Sequence, residues 1–258
     1  EQIKDKLRGI VITHGHEDHI GCLPYMLKDY AVPVFGTKLA IGLINGKMRE
    51  HGIPERARLF GVITPGDVVN FGQISVEFIA SNHSIPDAVI LAIYTPAGII
   101  IHTGDFKIDM SPIIGPMIDL PRIAELGKAG VLLLMSDSTN SERPGFTNSE
   151  RTVGQSFDGL FERAEKKRII IATFASNIHR VQQIVDKAEA FGRKVAVSGR
   201  SMINTFSIAT ELGYLKIPEG LLVDIEEINN LLPEQVVLIT TGSQGEPMSA
   251  LSRMAFSD

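Results

Sequence analysis

His14-Gly15-His16-Glu17-Asp18-His19 places three imidazoles and two carboxylates within six residues, and its reading decides the fold. Along an extended segment, side chains two apart share a face, so His14 and His16 can point together at one cation. Asp18 and His19 follow where the chain turns toward a helix and can face a second position beside the first. Imidazole nitrogen and carboxylate oxygen suit zinc or a similar divalent ion. Two such ions roughly 3.5–4 Å apart clamp an attacking hydroxide and the leaving oxygen of a hydrolytic displacement. A lone histidine after a strand is ordinarily a hydrogen-bonded structural residue; three of them with an aspartate in six residues are not.

Working outward, Leu7 to Thr13 reads as a buried strand that delivers this run at its C-terminal end. Ile20, Leu23, Met26 and Leu27 fall on one helical face, a short strand spans Val32 to Phe35, and a helix starts near Thr37. Arg58 to His102 is β-rich: Thr64-Pro65-Gly66-Asp67 is a turn, Ile74 to Ala80 alternates, and Pro96-Ala97-Gly98 separates two strand-like runs as in a hairpin. Val131 to Met135 reads as another buried strand. His83 and Asp105 each sit just past a strand, placed to reach a site at one edge of a sheet, and are the further ligand candidates. His102 is assigned a supporting or structural place, His51 the surface, and His179 no catalytic role.

After Asn140 the rhythm changes. Thr147-Asn148-Ser149-Glu150 has capping-box spacing, and Val153, Phe157, Leu160, Phe161 and Ala164 mark the apolar face of a helix. Strands at Arg168 to Thr173, Lys194 to Val197 and Val236 to Thr240 then alternate with helices at about Ile178 to Phe191 and Met202 to Leu212. Such alternation implies a parallel sheet flanked by helices. A domain boundary near residue 145 divides the chain into parts 1–145 and 146–258.

Hydrophobic residues make up 44% of the 258 and charged residues 21%, which is globular composition. No apolar stretch is long enough to cross a bilayer, so no membrane partner is expected. The single cysteine, Cys22, excludes an internal disulfide framework and a cysteine-based zinc site, and fits a cytoplasmic location. Formal net charge is −5 and neither half is a broad basic surface, so nucleic-acid binding here needs a local groove, a metal centre or backbone amides. The second part offers such a groove. Phe174 to Asn177 (with Ser176 and Asn177), Ser198 to Ser201 (with Arg200) and Thr240 to Glu246 (with Gly242 and Ser243) all follow strand ends. Loops at the C-terminal edge of a parallel sheet are the usual ligand site, with small residues and helix N-termini offering free N–H donors to phosphate. The chain opens on Glu1 and closes on Phe256-Ser257-Asp258, and is read as part of something longer.

His14-x-His16-x-Asp18-His19, then His83, then Asp105 resembles the metallo-β-lactamase superfamily. The words around these residues narrow the likeness. Thr13 to Gly21, Asn82-His83-Ser84-Ile85-Pro86-Asp87, Thr103-Gly104-Asp105-Phe106-Lys107, Asp137-Ser138-Thr139-Asn140, Ala172 to Arg180 and Thr241-Gly242-Ser243-Gln244-Gly245-Glu246-Pro247 resemble the ribonuclease J family. Asp137 matches the first acidic motif of the β-CASP branch, which inserts an α/β domain into the lactamase fold. The resemblance implies an αββα metallo-β-lactamase part followed by a β-CASP α/β domain with a parallel sheet. It implies two zinc ions, with manganese or magnesium as substitutes: His14, His16 and His83 on one, Asp18 and His19 on the other, Asp105 bridging. His16 and Asp18 are the catalytic expectation, and Asp137 and Ser138 join the loop residues above as expected RNA contacts.

It further implies single-stranded RNA with a 5′-monophosphate as substrate, cut endonucleolytically and from the 5′ end, and a homodimeric or homotetrameric parent. Family members carry earlier strands before the position of Glu1 and two later histidine motifs after that of Asp258. Three alternatives stay open: a thioester or lactone hydrolase, a DNA-directed nuclease, and a catalytically incomplete RNA-binding fragment. The second part argues against the first, and the presence of every ligand expected in this span argues against the last.

Overall fold

In the computed structural model, residues 6–54 and 59–256 are described; Arg58, where the β-rich stretch was expected to open, lies outside them. The chain forms two units, Glu1–Asn148 and Ser149–Asp258.

The first unit runs β1 (Ile10–Val11), α1 (Glu17–Ile20), α2 (Leu23–Asp29), β2 (Val34–Thr37), α3 (Lys38–Glu50), β3 (Phe60–Ile63), β4 (Val68–Asn70), β5 (Ser75–Ala80), β6 (Val89–Thr95), β7 (Gly98–His102), α4 (Leu120–Ala129) and β8 (Val131–Met135). One sheet has the order β1-β2-β3, all parallel; the other has the order β4-β5-β6-β7-β8, antiparallel except for the parallel β7–β8 pair. The sheets face each other across a core of Ile63, Val76, Phe78, Val89 and Leu91, with Val11 and Phe35 packed against it. Helix α3 lies on β2 and β3. The opposite face of the larger sheet packs Ile79, Ile90, Ala92 and Ile101 against Leu126 and Ile123 of α4. The layers are therefore helix, sheet, sheet, helix.

This layering explains one departure from the expected pattern. Ile74 to Ala80 reads as a half-exposed alternating strand, yet Val76, Glu77, Phe78 and Ile79 are all buried. Both faces of β5 are covered: one by the second sheet, the other by α4. The polar member of the run, Glu77, accepts bonds from Arg122 Nε at 2.8 Å and from Tyr94 Oη at 2.5 Å, which is how a carboxylate is kept inside.

Three further corrections concern this unit. The first strand is only Ile10–Val11, because β2 offers it just two paired positions. The apolar face from Ile20 to Leu27 is carried by two helices, broken at Gly21-Cys22, although Ile20, Leu23 and Leu27 are all buried as the periodicity requires. Val131 to Met135 is a strand but is not buried: Leu132 and Leu134 are 61% and 60% exposed. It ends its sheet, paired among the described residues with β7 alone, so apolar composition alone overstated its burial.

The second unit runs α5 (Glu150–Arg163), β9 (Ile169–Ala172), α6 (Ile178–Ala190), β10 (Lys194–Ser198), α7 (Arg200–Glu211), β11 (Val236–Thr240) and α8 (Ala250–Phe256). Its sheet has the order β10-β11-β9 and is parallel throughout, as the alternation of elements requires. Helix α5 begins after Ser149, whose side chain accepts from Arg151 N, and not after Thr147. The capping-box glutamate is engaged elsewhere: Glu150 takes bonds from Arg180 Nη2 at 2.9 and 3.0 Å.

Phe78 is fully buried between the two sheets of the first unit. Phe78→Ala should cost about 3–5 kcal/mol of stability, read as a lowered urea midpoint with an unchanged far-UV circular dichroism spectrum below it.

Candidate metal centre

Strands β1, β5 and β7 each end three residues before a candidate ligand: His14, His83 and Asp105 respectively. Strands β5 and β7 run the same way, since β6 is antiparallel to both, so their C-terminal ends share an edge. A backbone bond from Val89 N to Thr13 O at 2.9 Å brings the end of β1 to the same place. The loops are tied to one another in turn. Asn82 accepts on its backbone oxygen from Lys107 N at 2.8 Å, while its side chain donates to Pro116 O and accepts from Ile118 N. Gly104, at φ +55°, lies so close to Thr13 that a Cβ there would sit 2.8 Å from Thr13 Cβ; a glycine is required for both reasons.

The result is a convergent set of donor atoms. His14 Nε2 and His16 Nδ1 are 3.1 Å apart, and His16 Nδ1 and His83 Nε2 are 3.0 Å apart. Asp105 Oδ2 lies 3.9 Å from His14 Nε2 and 3.6 Å from His83 Nε2. The other oxygen of the same carboxylate, Oδ1, is 3.4 Å from His19 Nε2, which is itself 3.4 Å from Asp18 Oδ2. Two groups result, His14–His16–His83–Asp105 and Asp18–His19–Asp105, with Asp105 common to both. The turn of α1 makes the second group: His19 N and Ile20 N both bond back to His16 O, and Ile20 anchors the turn in the core. Lys47 of α3 holds the exposed Glu17 at 2.7 Å, fixing that turn from outside.

The electrostatics favour neutral imidazoles. Burial first, then the positive charge that His19, His16 and His83 would carry, holds His14 down at about 2. Burial and His83 hold His16 at about 4, although Asp18 opposes the shift. Burial also lowers His83, against the pull of Asp105 and Asp137. Neutral imidazoles each offer one lone pair, and ring nitrogens gathered at 3.0–3.1 Å are close enough to share either a proton or a cation. Three nitrogens and a carboxylate oxygen match the preferences of zinc and its neighbours, so the donor set fits a divalent ion.

The remaining expected residues are distributed differently. Asp137 follows β8 in the first unit; its carboxylate is held below the usual range by the Thr139 N–H and hydroxyl. Its neighbour Ser138 is exposed. Asn177 is buried and its side-chain oxygen caps α6 by accepting from Arg180 N at 3.1 Å. Arg200, Ser201 and Ser243 are exposed, Ser176 and Ser198 partly so, and Gly242 is buried at φ +119°. These positions follow the C-terminal ends of β9, β10 and β11, the edge their spacing implied. His102 Nδ1 accepts from Gly104 N at 3.1 Å, a structural place; His51 is exposed against the Tyr25 ring. Asn82, Thr103 and Thr13 were not singled out by spacing. Their only signal is position, one residue before His83, two before Asp105 and one before His14.

The helix–sheet–sheet–helix unit with this donor cluster defines a metallo-β-lactamase-fold protein, and comparison with known proteins agrees: residues 2–127 match the metallo-beta-lactamase superfamily. Residues 166–258 match the beta-CASP domain of ribonuclease J. The chain belongs to the ribonuclease J family. It is 48% identical over 254 residues to Ribonuclease J of Helicobacter pylori strain J99, covering 98% of this chain and 37% of that one. Ribonuclease J of Synechocystis sp. is 47% identical over 254 residues, 98% of this chain and 39% of that one. Ribonuclease J of Thermus thermophilus is 45% identical over 259 residues, 98% and 45%. The chain thus spans less than half the length of the curated relatives it matches. A crystal structure of a protein of unknown function from Enterococcus faecalis V583 shares the fold, with a TM-score of 0.66 at 19% identity over 92% of this chain and 59% of that one.

The histidine cluster gives the protein without metal a definite acid response. An unfolded histidine takes up its proton near 6.5, whereas folded His16 does so near 4 and His14 near 2. Below 6.5 the unfolded state therefore binds more protons, and stability falls with falling pH. The slope is about 1.4 kcal/mol per pH unit for each such histidine. Urea midpoints of chelator-treated protein at about pH 7, 6 and 5 check this; a flat profile would contradict the neutral-cluster description.

Proposed function

We propose that this protein is the catalytic portion of a metal-dependent ribonuclease that hydrolyses RNA phosphodiester bonds in RNA processing and decay. The observation that carries the reading is the pair of donor groups sharing Asp105, in a chain whose relatives are named Ribonuclease J. Two zinc ions, with manganese or magnesium as substitutes, are the proposed cofactors. His14, His16, His83 and Asp105 hold one; Asp18, His19 and the other oxygen of Asp105 hold the second. Bound there, divalent ions supply Lewis acidity, lower the pKa of water and neutralise charge building on phosphoryl oxygens.

The chain's own residues set up the rest. Asp18, with its side chain 76% exposed, is free to accept and orient a proton of the attacking water. Asp105 faces both groups and fixes their spacing. In the second unit, α7 has no side-chain cap at Gly199, so its first N–H groups remain available to a phosphate, with Arg200 adjacent and able to bond in bidentate fashion. Ser176, Ser198, Ser201, Gly242 and Ser243 line the same sheet edge, and Ser138 adds a hydroxyl in the first unit. Donors of this kind reconcile RNA binding with a net charge of −5.

The proposed substrate is single-stranded RNA with a 5′-monophosphate, cut both internally and from the 5′ end, by a homodimeric or homotetrameric parent in the cytoplasm. No helix among the described residues is long and apolar enough to cross a membrane.

His16→Ala or Asp18→Ala in the longer parent should abolish cleavage, a loss of at least 10³-fold on the order expected for a metal-assisted step, with the thermal melt retained. Cleavage surviving both changes would refute the assignment. Supplying 5′-monophosphate RNA, 5′-triphosphate RNA and matching DNA separates the branches. Mononucleotide release from the first alone supports the reading, and equal cleavage of DNA replaces it with a DNA-directed nuclease.

A further inference from the structure

The three histidines of the first donor group do not present the same nitrogen. His14 and His83 turn Nε2 inward, whereas His16 turns Nδ1 inward: the close approaches run from His14 Nε2 and from His83 Nε2 to His16 Nδ1. A neutral imidazole carries its proton on one nitrogen and its lone pair on the other. The inward atom is a donor to a cation only if the proton sits on the outward one. In water the Nε2–H form of histidine is the more stable. His16 therefore presents its ligand atom in its ordinary tautomer, while His14 must be held in the less favoured one.

The outward nitrogens have different partners. His14 Nδ1 lies 3.0 Å from Thr13 Oγ1, in a place where Thr13 is 6% exposed and His14 is 1% exposed. His16 Nε2 lies 3.4 Å from Ser84 Oγ, a longer and weaker approach. The stronger contact thus falls on His14, one of the two histidines (with His83) that present Nε2. Thr13 itself has little freedom. Its backbone oxygen accepts from Val89 N at 2.9 Å, and its side chain is pressed against Gly104, one residue before Asp105.

We propose that Thr13 is a positioning residue for the metal centre: its hydroxyl accepts the Nδ1–H of His14, holding Nε2 as the lone-pair atom, with Ser84 a weaker counterpart behind His16. The assignment deepens the metal reading given above and rests on it for its purpose, while the tautomer itself is a property of the metal-free protein. Outer partners of this kind hold a ligating imidazole in its tautomer and orientation, and their loss ordinarily costs 10–100-fold in metal affinity. The contact of Thr13 with Gly104 gives the same residue a second consequence: the loops carrying His14 and Asp105 cannot shift independently.

The test uses the 258-residue chain stripped of metal. Long-range proton–nitrogen correlation spectra of the histidine rings should show His14 as the Nδ1–H form, its Nε2 accepting from the inward N–H of His16 when no cation lies between them. Thr13→Val keeps the methyl packing and removes the hydroxyl; His14 should then populate the Nε2–H form. Zinc affinity, from competition with a chromophoric chelator, should fall about tenfold. Thr13→Ser, which restores the hydroxyl, should bind within about twofold of the parent, and Ser84→Ala should lose less than Thr13→Val. His14 found in the Nε2–H form in the unaltered chain overturns the proposal. Unchanged zinc affinity in a folded Thr13→Val protein also overturns it. The unaltered spectrum decides the matter even if Thr13→Val does not fold. An unaltered chain that shows the expected tautomers and binds no zinc refutes the metal reading and leaves the tautomer assignment standing.

Discussion

Several imidazole rings can share a few ångströms only while most of them stay neutral, and the first unit is arranged around that condition. Burial keeps protons off His14 and His16, and Asp105 supplies the negative charge that a buried cation requires. The opposing cost is the crowding of ring nitrogens 3.0–3.1 Å apart. That crowding is held by the sandwich as a whole. Strand β5 is covered on both faces, β6 and β7 lock its register, and Asn82 ties the ends of the loops together. The site is rigid because its supports are in the core and not in the loops.

The same division explains what the sequence disclosed. The run His14 to His19 showed its chemistry because six residues held nearly the whole donor vocabulary. His83 and Asp105 were found because each follows an apolar run that ends a strand. The alternation from Arg168 to Thr240 gave the parallel sheet correctly, since apolar strands and 3.6-period helices are the patterns that burial imposes. Propensity and period speak about one element at a time, and the failures came where a second element decides the outcome. Glu77 looked like the polar half of an alternating strand because the arginine that neutralises it, Arg122, lies 45 residues away. Thr147 looked like a cap because nothing nearby indicated that Arg180 holds Glu150. Thr13 carried no signal beyond its place before His14; its importance lies in which nitrogen of its neighbour faces outward.

The two units also differ in how they would meet RNA. The first offers side-chain donors gathered within a few ångströms of one another by packing. The second offers backbone N–H groups and hydroxyls at the ends of three parallel strands, with one exposed guanidinium at Arg200. Metal chemistry demands the first kind of surface, and sequence-tolerant gripping of a sugar–phosphate chain demands the second. Net negative charge is compatible with both, because neither relies on a field spread over the surface.

Strand β8 has a consequence beyond catalysis. Its leucines and its methionine are 48% to 61% exposed, and one edge of its backbone has no strand partner among the described residues. An apolar strand with a free edge is a template for another strand, and each copy of this chain presents the same edge. At high concentration the chain should be limited by edge-to-edge association before it is limited by loss of the native fold. A lysine facing outward from that strand would act on solubility while leaving the histidine cluster as it is.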